Sequence, residues 1–205
     1  KEDKKVIGSA ASTMERVALE TPAIHKLFFG GILWDKDDNE KGVMGLFIKS
    51  LELPPPIRLA FRFLKYWTII NILNKIGFSK LAAKGNASTY AKSSALYTIV
   101  INQDSPESFI NAGRVSQRVW LNATKLGLSV QPVTGILFIA RKVLAQNTEV
   151  FKDKHISLIK EANNKIKSIF KTENQTMAMM FRIGFANKPS ARSFRTSPNI
   201  KEGAK

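Results

Sequence analysis

The sequence contains no cysteine. That excludes a disulfide framework, a thiolate zinc site, an iron–sulfur cluster and a cysteine nucleophile within this chain. Histidine is nearly as scarce. His25 and His155 are the only two, far apart in sequence, so a histidine-rich metal site is not expected and a His-dependent triad has only these to draw on. Long apolar runs are also missing. The best stretch, residues 57–78, is interrupted by Arg58, Arg62, Lys65 and Lys75, so no transmembrane segment is expected. Val6 to Ala11 is too short and too mixed for the core of a signal peptide. A cytoplasmic location is the expectation. The chain opens at Lys1 without methionine, which points to a fragment of a longer protein. The phosphate-loop pattern, G-x-G-x-x-G, H-E-x-x-H and G-x-S-x-G are all absent. The acidic run from Asp35 to Glu40 lacks the glycine and the terminal glutamate of a calcium loop in register, and reads as a solvated loop.

What the sequence does have is basic charge on a chain able to build a core. Its 205 residues are 44% hydrophobic, enough for one domain with appendages. Lysine and arginine number 32 against 16 acidic residues. Residues 1–50 carry eight of each sign, whereas 51–151 and 152–205 each carry twelve basic and four acidic groups. The whole excess therefore lies past the first quarter. It favours a phosphate ligand, a nucleic acid or an anionic membrane as partner, or it is a solvated lysine surface.

Periodicity predicts a helix over 3–19, with Val6, Ala10, Met14 and Val17 on one face. Thr21-Pro22 restarts a short helix that Gly30-Gly31 stops. Asp35 to Gly45 reads as a loop. After Pro54-Pro55-Pro56 a helix is predicted over 57–66, on which Arg58, Arg62 and Lys65 share a stripe. A second helix continues to Ile76, and 85–88 is loop-like. Leu96 to Ile101 is a strand whose unbroken apolar run suits a central position. Ser105-Pro106 opens a long helix that ends at Gly127, with Val119 and Trp120 expected in the core. Leu128 to Val130 is a short strand, broken by 131–135. Helices follow over 136–144 and 155–170, and Met177 to Phe185 is a second strand of the same sheet. This order excludes hairpin-based all-β folds.

Two places attract a chemical reading from their residues. Arg114 and Arg118 share a face of the long helix, either lining an anion site or forming an exposed basic face. The closing segment from Arg182 to Arg195 interleaves arginines with hydroxyls. Arg192 and Arg195 supply forked donors that match a phosphate, and Ser193 can add one more; the alternative is a frayed basic terminus.

The stretch Asn111-Ala-Gly-Arg-Val-Ser-Gln-Arg-Val-Trp-Leu-Asn-Ala-Thr-Lys-Leu-Gly-Leu-Ser-Val-Gln-Pro-Val-Thr resembles the nitroreductase family, in particular its two-lobed branch. The arginine-x-glycine strand at 182–184, with Pro189-Ser190-Ala191-Arg192-Ser193 after it, resembles that branch's closing signature. The resemblance covers 95–200 and, loosely, the whole chain. It implies an α+β fold, with a small antiparallel or mixed sheet flanked by helices. It divides the chain into an N-terminal helical segment (1–52), a helical lid-like insertion (53–92), a nitroreductase-like core (93–186) and a basic tail (187–205). It also implies FMN as cofactor, reduced by NADH or NADPH, and a nitro, quinone or similar acceptor, and nucleic acid is not expected as a partner. Gln131, Pro132, Val133, Thr134 and Gly135 would then lie near the flavin ring, and Arg192, Ser193 and Arg195 near its phosphate. Family chains begin with an arginine-rich helix that grips the phosphate. Residues 1–50 have none, so the resemblance implies a homodimer or a missing N-terminal half.

Overall fold

The computed structural model describes residues 1–194. Its architecture is α+β, mostly helices around a small sheet. The N-terminal apolar spacing folds as two helices, α1 (Glu2–Ala11) and α2 (Thr13–Glu20), where one was expected. The break falls at Ser12, whose hydroxyl turns back to donate to the Ser9 carbonyl at 2.8 Å, a local competition that disfavours serine inside helices. Pro22 then opens α3 (Pro22–Gly30), in the first turn where its missing N–H costs nothing. Thr21 does not cap that helix with its side chain; its hydroxyl meets His155 instead.

Strands β1 (Ile32–Leu33) and β2 (Leu46–Phe47) form a short parallel ladder. Between them the expected loop contains one short helix, α4 (Lys36–Glu40), bracketed by a Lys36–Glu40 ion pair. Three helices follow: α5 (Pro55–Leu64), α6 (Trp67–Lys75) and α7 (Phe78–Ala91). The last corrects the loop expected over 85–88. Gly85 inside a helix costs about 1 kcal/mol, but α7 is held by tertiary packing. It crosses α1 so closely that a Cβ on Gly8 would stand 2.8 Å from the Ala87 carbonyl oxygen. Packing of a buried face outweighs propensity here.

The main sheet is antiparallel, in the order β3 (Ala95–Ile101), β5 (Thr176–Gly184), β4 (Ser129–Pro132). The two long strands expected thus share one sheet, and α8 (Pro106–Lys125) packs on it. Their places differ from expectation, because β5 is central and β3 is an edge. An apolar run reports covered faces, not the number of hydrogen-bonded neighbours, and Tyr97 of β3 stacks on Phe181 of β5 with centroids 5.0 Å apart. Residues 131 and 132 extend β4 where a break was expected. Helix α8 begins where Ser105 accepts the Ser108 N–H at 3.2 Å and is followed by Gly127 at φ +74°, a left-handed conformation that glycine tolerates. Ala112, Ser116 and Ala123 form its buried face. Trp120 does not join them: it is 37% exposed, with only a T-shaped contact to Phe181, and Val119 is half-buried.

Helices α9 (Gly135–Leu144) and α10 (Asp153–Phe170) complete the order. The main core joins Ile7 and Val17 to Ile136 and Val143 of α9, Ile159 and Ile166 of α10, and Met180 of β5. Each such side chain contributes roughly 1.5–3 kcal/mol by leaving water. The first helices therefore share a core with residues 133–180. A smaller cluster of Phe29, Ile32, Phe47 and Ile48 holds the 29–48 region. Among the described residues no helix is long and apolar enough to cross a membrane.

Candidate functional site

Strand β4 carries Gln131 and Pro132 to the open edge of the sheet, where both are exposed. The next residue, Val133, donates its N–H to the Met180 carbonyl at 2.8 Å. Alternation along a strand turns Gln131 the same way and leaves Pro132, which has no donor, facing the unpaired edge. Val133 and Thr134 are buried. The Thr134 hydroxyl donates to the Met180 carbonyl at 3.0 Å and lies 3.3 Å from the Met180 N–H, from which it accepts. Gly135 starts α9 against Met14, where a Cβ would come within 2.9 Å of Cγ. Of the five residues expected near a flavin ring, two are exposed and three serve packing.

The geometry adds a residue to this edge. Arg182 of β5 stands opposite Gln131 in the register and donates its Nε to the Gln131 side-chain oxygen. One terminal amino group reaches the Thr89 carbonyl at 3.2 Å. Its guanidinium carbon lies 5.7 Å from the centre of the Tyr90 ring. The Tyr90 hydroxyl donates in turn to Glu15, whose second carboxylate oxygen is buried with no partner among the described residues. Burial pushes the Glu15 carboxyl up from its ordinary value, against the pull of the Tyr90 hydrogen bond. Burial, then the Glu15 charge, raise the Tyr90 phenol well above its usual range. Side chains and backbone from β4 and α7 thus fix a cation on the central strand, and Tyr90 links it onward to Glu15 of α2. Arg182 had a sequence signal, as the one charge in an apolar strand. Tyr90 and Glu15 had none.

The tail docks elsewhere. The Phe194 N–H donates to Asn39 Oδ1 at 2.8 Å, and Asn39 Nδ2 donates to the Arg192 carbonyl at 3.2 Å. Ser193 Oγ accepts the Phe47 N–H at 2.9 Å, and Glu52 accepts the Ser190 N–H at 2.6 Å. Gly42 at φ +75° lets the Phe194 ring approach to where a Cβ would be 2.7 Å away. The Arg192 side chain is exposed. Arg195 lies outside the described residues. Among the described hydrogen bonds none joins this tail to the 131–135 segment.

Both histidines are structural. His25 is buried, with Nε2 2.8 Å from the Leu64 carbonyl and its ring against Phe29 and Trp67. His155 sits between Thr21 and Glu20. Glu20 accepts from Arg16, Lys154, His155 and Ser79 at 2.9, 2.6, 3.0 and 2.7 Å. Burial alone would raise its pKa, but these donors, Lys154 foremost, outweigh it and hold the carboxyl far below the usual range. Burial also lowers His155, with the Glu20 hydrogen bond opposing. A neutral imidazole beside a carboxylate must donate from Nε2, so Nδ1 is the acceptor facing the Thr21 hydroxyl at 3.4 Å. Arg114 and Arg118 lie exposed on α8, on its solvent side. A concavity of about 610 Å³ between α1, α2, α7 and α10 is lined by charges of both signs, Lys5, Arg16, Lys80 and Lys84 with Glu2 and Glu161 among them, and does not include Gln131 or Arg182.

Comparison with family models, curated proteins and solved structures returns no match to this chain.

Proposed function

We propose that the chain is an FMN-dependent oxidoreductase of the nitroreductase type, or the C-terminal lobe of one. It would transfer hydride from NADH or NADPH, through FMN, to a nitro compound, quinone or similar acceptor. The observation that carries this reading is Arg182 of the central strand, braced by Gln131 of the edge strand β4 and by Thr89 of α7. A cation so pinned needs no reorganisation to meet negative charge on a planar ring system.

The residues fit the cofactor in part. Gln131, Pro132 and Arg182 would face the ring. Ser193 is bonded as an acceptor, which leaves its hydroxyl proton free to donate, and the neighbouring Arg192 side chain is exposed. Val133 and Thr134 spend their polar groups on β5 and would only position the edge. Because the tail is bonded to Asn39, Phe47 and Glu52 and, among the described hydrogen bonds, not to the 131–135 segment, a second copy or an upstream half would complete the site. FMN itself supplies the hydride chemistry when bound. The chain's own work is to orient, to supply positive charge and to keep the Tyr90 proton in place.

Titration of the purified chain with FMN and riboflavin tests this. A charge-assisted bond is worth about 1.5–3 kcal/mol, so Arg182→Gln is expected to weaken both flavins by roughly tenfold to a hundredfold. Arg192→Ala is expected to weaken FMN and leave riboflavin unchanged. If neither flavin binds, or if Arg182→Gln binds both as wild type does, the reading fails.

A further inference from the structure

We propose that α5, α6 and α7 form a docking surface for an anionic lipid bilayer. The inference is independent of flavin binding. From Leu53 to Gln103 the sequence carries seven lysines and arginines and no acidic residue. No carboxylate within the run neutralises these cations, and while Lys80 and Lys84 face a concavity that also holds Glu2 and Glu161, Arg62, Lys65 and Lys75 are exposed and open to an outside partner.

The structure turns the apolar side chains of the same segment outward. Ile57, Leu59 and Phe63 on α5 are 52, 62 and 55% exposed, Ile72 on α6 is 59% exposed, and Leu81 on α7 is 68% exposed. These helices pack each against the next. The inner side of α5 is already used. Phe61 packs on Phe29 at 5.0 Å, and Arg58 bends back to the Leu53 carbonyl at 3.0 Å. What remains outside is an aliphatic and aromatic set on helices that also carry the exposed Arg62, Lys65 and Lys75. Tyr66, half-exposed at 53%, lies with its ring 5.0 Å from the Lys65 ammonium, a pairing suited to the headgroup level. A single exposed leucine means nothing. An exposed apolar set on three adjacent helices, with cations on those same helices, has the composition of an interfacial surface.

Charge separates this occupant from the two others such a surface could take. A nucleic acid would reward the cations but not the exposed aliphatic chains. A second copy, meeting the same patch about a two-fold axis, would set lysines and arginines against their equivalents with no carboxylate to relieve them. An anionic bilayer satisfies both features: headgroup phosphates and carboxylates take the cations, and the acyl boundary takes the apolar side chains.

The test is co-sedimentation of the full chain with vesicles of phosphatidylcholine alone and of phosphatidylcholine with phosphatidylserine. Binding is expected only to the phosphatidylserine vesicles, and it should fall as salt is raised. Arg62→Gln, Lys65→Gln and Lys75→Gln together should weaken it by about fivefold per cation removed. Leu59→Ser with Phe63→Ser should weaken it at constant net charge, an effect that charge attraction alone does not produce. Lys152→Gln, Lys160→Gln and Lys171→Gln, exposed on and beside α10, should leave it nearly unchanged. The proposal is overturned if phosphatidylserine vesicles do not carry the chain down, or if the α10 set matters as much as the α5–α7 set. It is equally overturned if Leu59→Ser/Phe63→Ser leaves vesicle binding intact while abolishing self-association or RNA binding.

Discussion

At the scale of single residues, the densest set of polar contacts surrounds Glu20. It ties α2 to α7 through Ser79 and to α10 through Lys154 and His155. Glu20→Ala would leave Ser79 and His155 buried with unused donors, and removing one partner from a buried charged cluster costs about 3–5 kcal/mol. Chemical denaturation at neutral pH checks this. The pH dependence follows from the signs. Glu20 titrates below its ordinary value in the folded chain, so its stabilisation is present above the unfolded value near 4.3 and is lost as pH falls toward the folded one. His155 is also lowered, so near pH 6.5 the unfolded chain takes up a proton that the folded chain refuses. Stability should therefore fall as pH drops from about 7.5 to 5.5. His155→Gln should flatten that slope in urea-midpoint measurements at the two pH values. Glu15 acts with the opposite sign. Its carboxyl is raised by burial, so its contribution is full below the unfolded value and declines as pH rises through the folded one.

At the scale of elements, α8 shows how local chemistry and packing divide the work. Its start is local. The Ser105 hydroxyl accepts the Ser108 N–H and Pro106 fills the first turn. Ser105→Ala should cost about 1 kcal/mol, measurable as a shift of the urea midpoint with an unchanged slope. Helix α7 is the opposite case. Gly85 and the polar residues after it read as a loop, and the helix forms because Ala87 and Ala91 meet α1 at Gly8. The same contrast applies to the strands. The composition of β3 and β5 announced both, but hydrogen-bond order made β5 the centre, since only β5 has a partner on each side.

At the scale of the whole molecule, apolar residues are exposed on a second surface as well. Ile110 and Leu121 of α8 are 60 and 59% exposed, and Phe138 of α9 is 58% exposed. Under the proposed function, this surface meets the second copy or upstream half that completes the flavin site. Sedimentation equilibrium at micromolar concentration is expected to show a dimer. Leu121→Glu with Phe138→Glu should give a monomer whose FMN affinity is reduced, because a charge in a desolvated interface has no partner. A wild-type monomer that binds FMN fully would contradict this assembly.

What the sequence determined alone is what depends on neighbours a few residues away. It specified the cap at Ser105, the stop at Gly127, the two long strands and the acid-free basic segment from 53 to 103, but it misplaced Val119 and Trp120 in the buried face of α8, which Ala112, Ser116 and Ala123 form. It also placed Gln131 and Pro132 beside the start of a helix, and singled out Arg192 and Ser193 as chemically apt. Tertiary structure decided everything that rests on pairing between distant segments. It placed Arg182 against Gln131, buried Val133 and Thr134 under β5, seated the Arg192–Ser193 tail on Asn39 and Phe47, and made Glu20 rather than either histidine the centre of a polar cluster. The physical reason is that caps and turns are settled by hydrogen bonds within one helical turn. Which distant side chains meet is settled only when the whole chain buries its apolar surface at once.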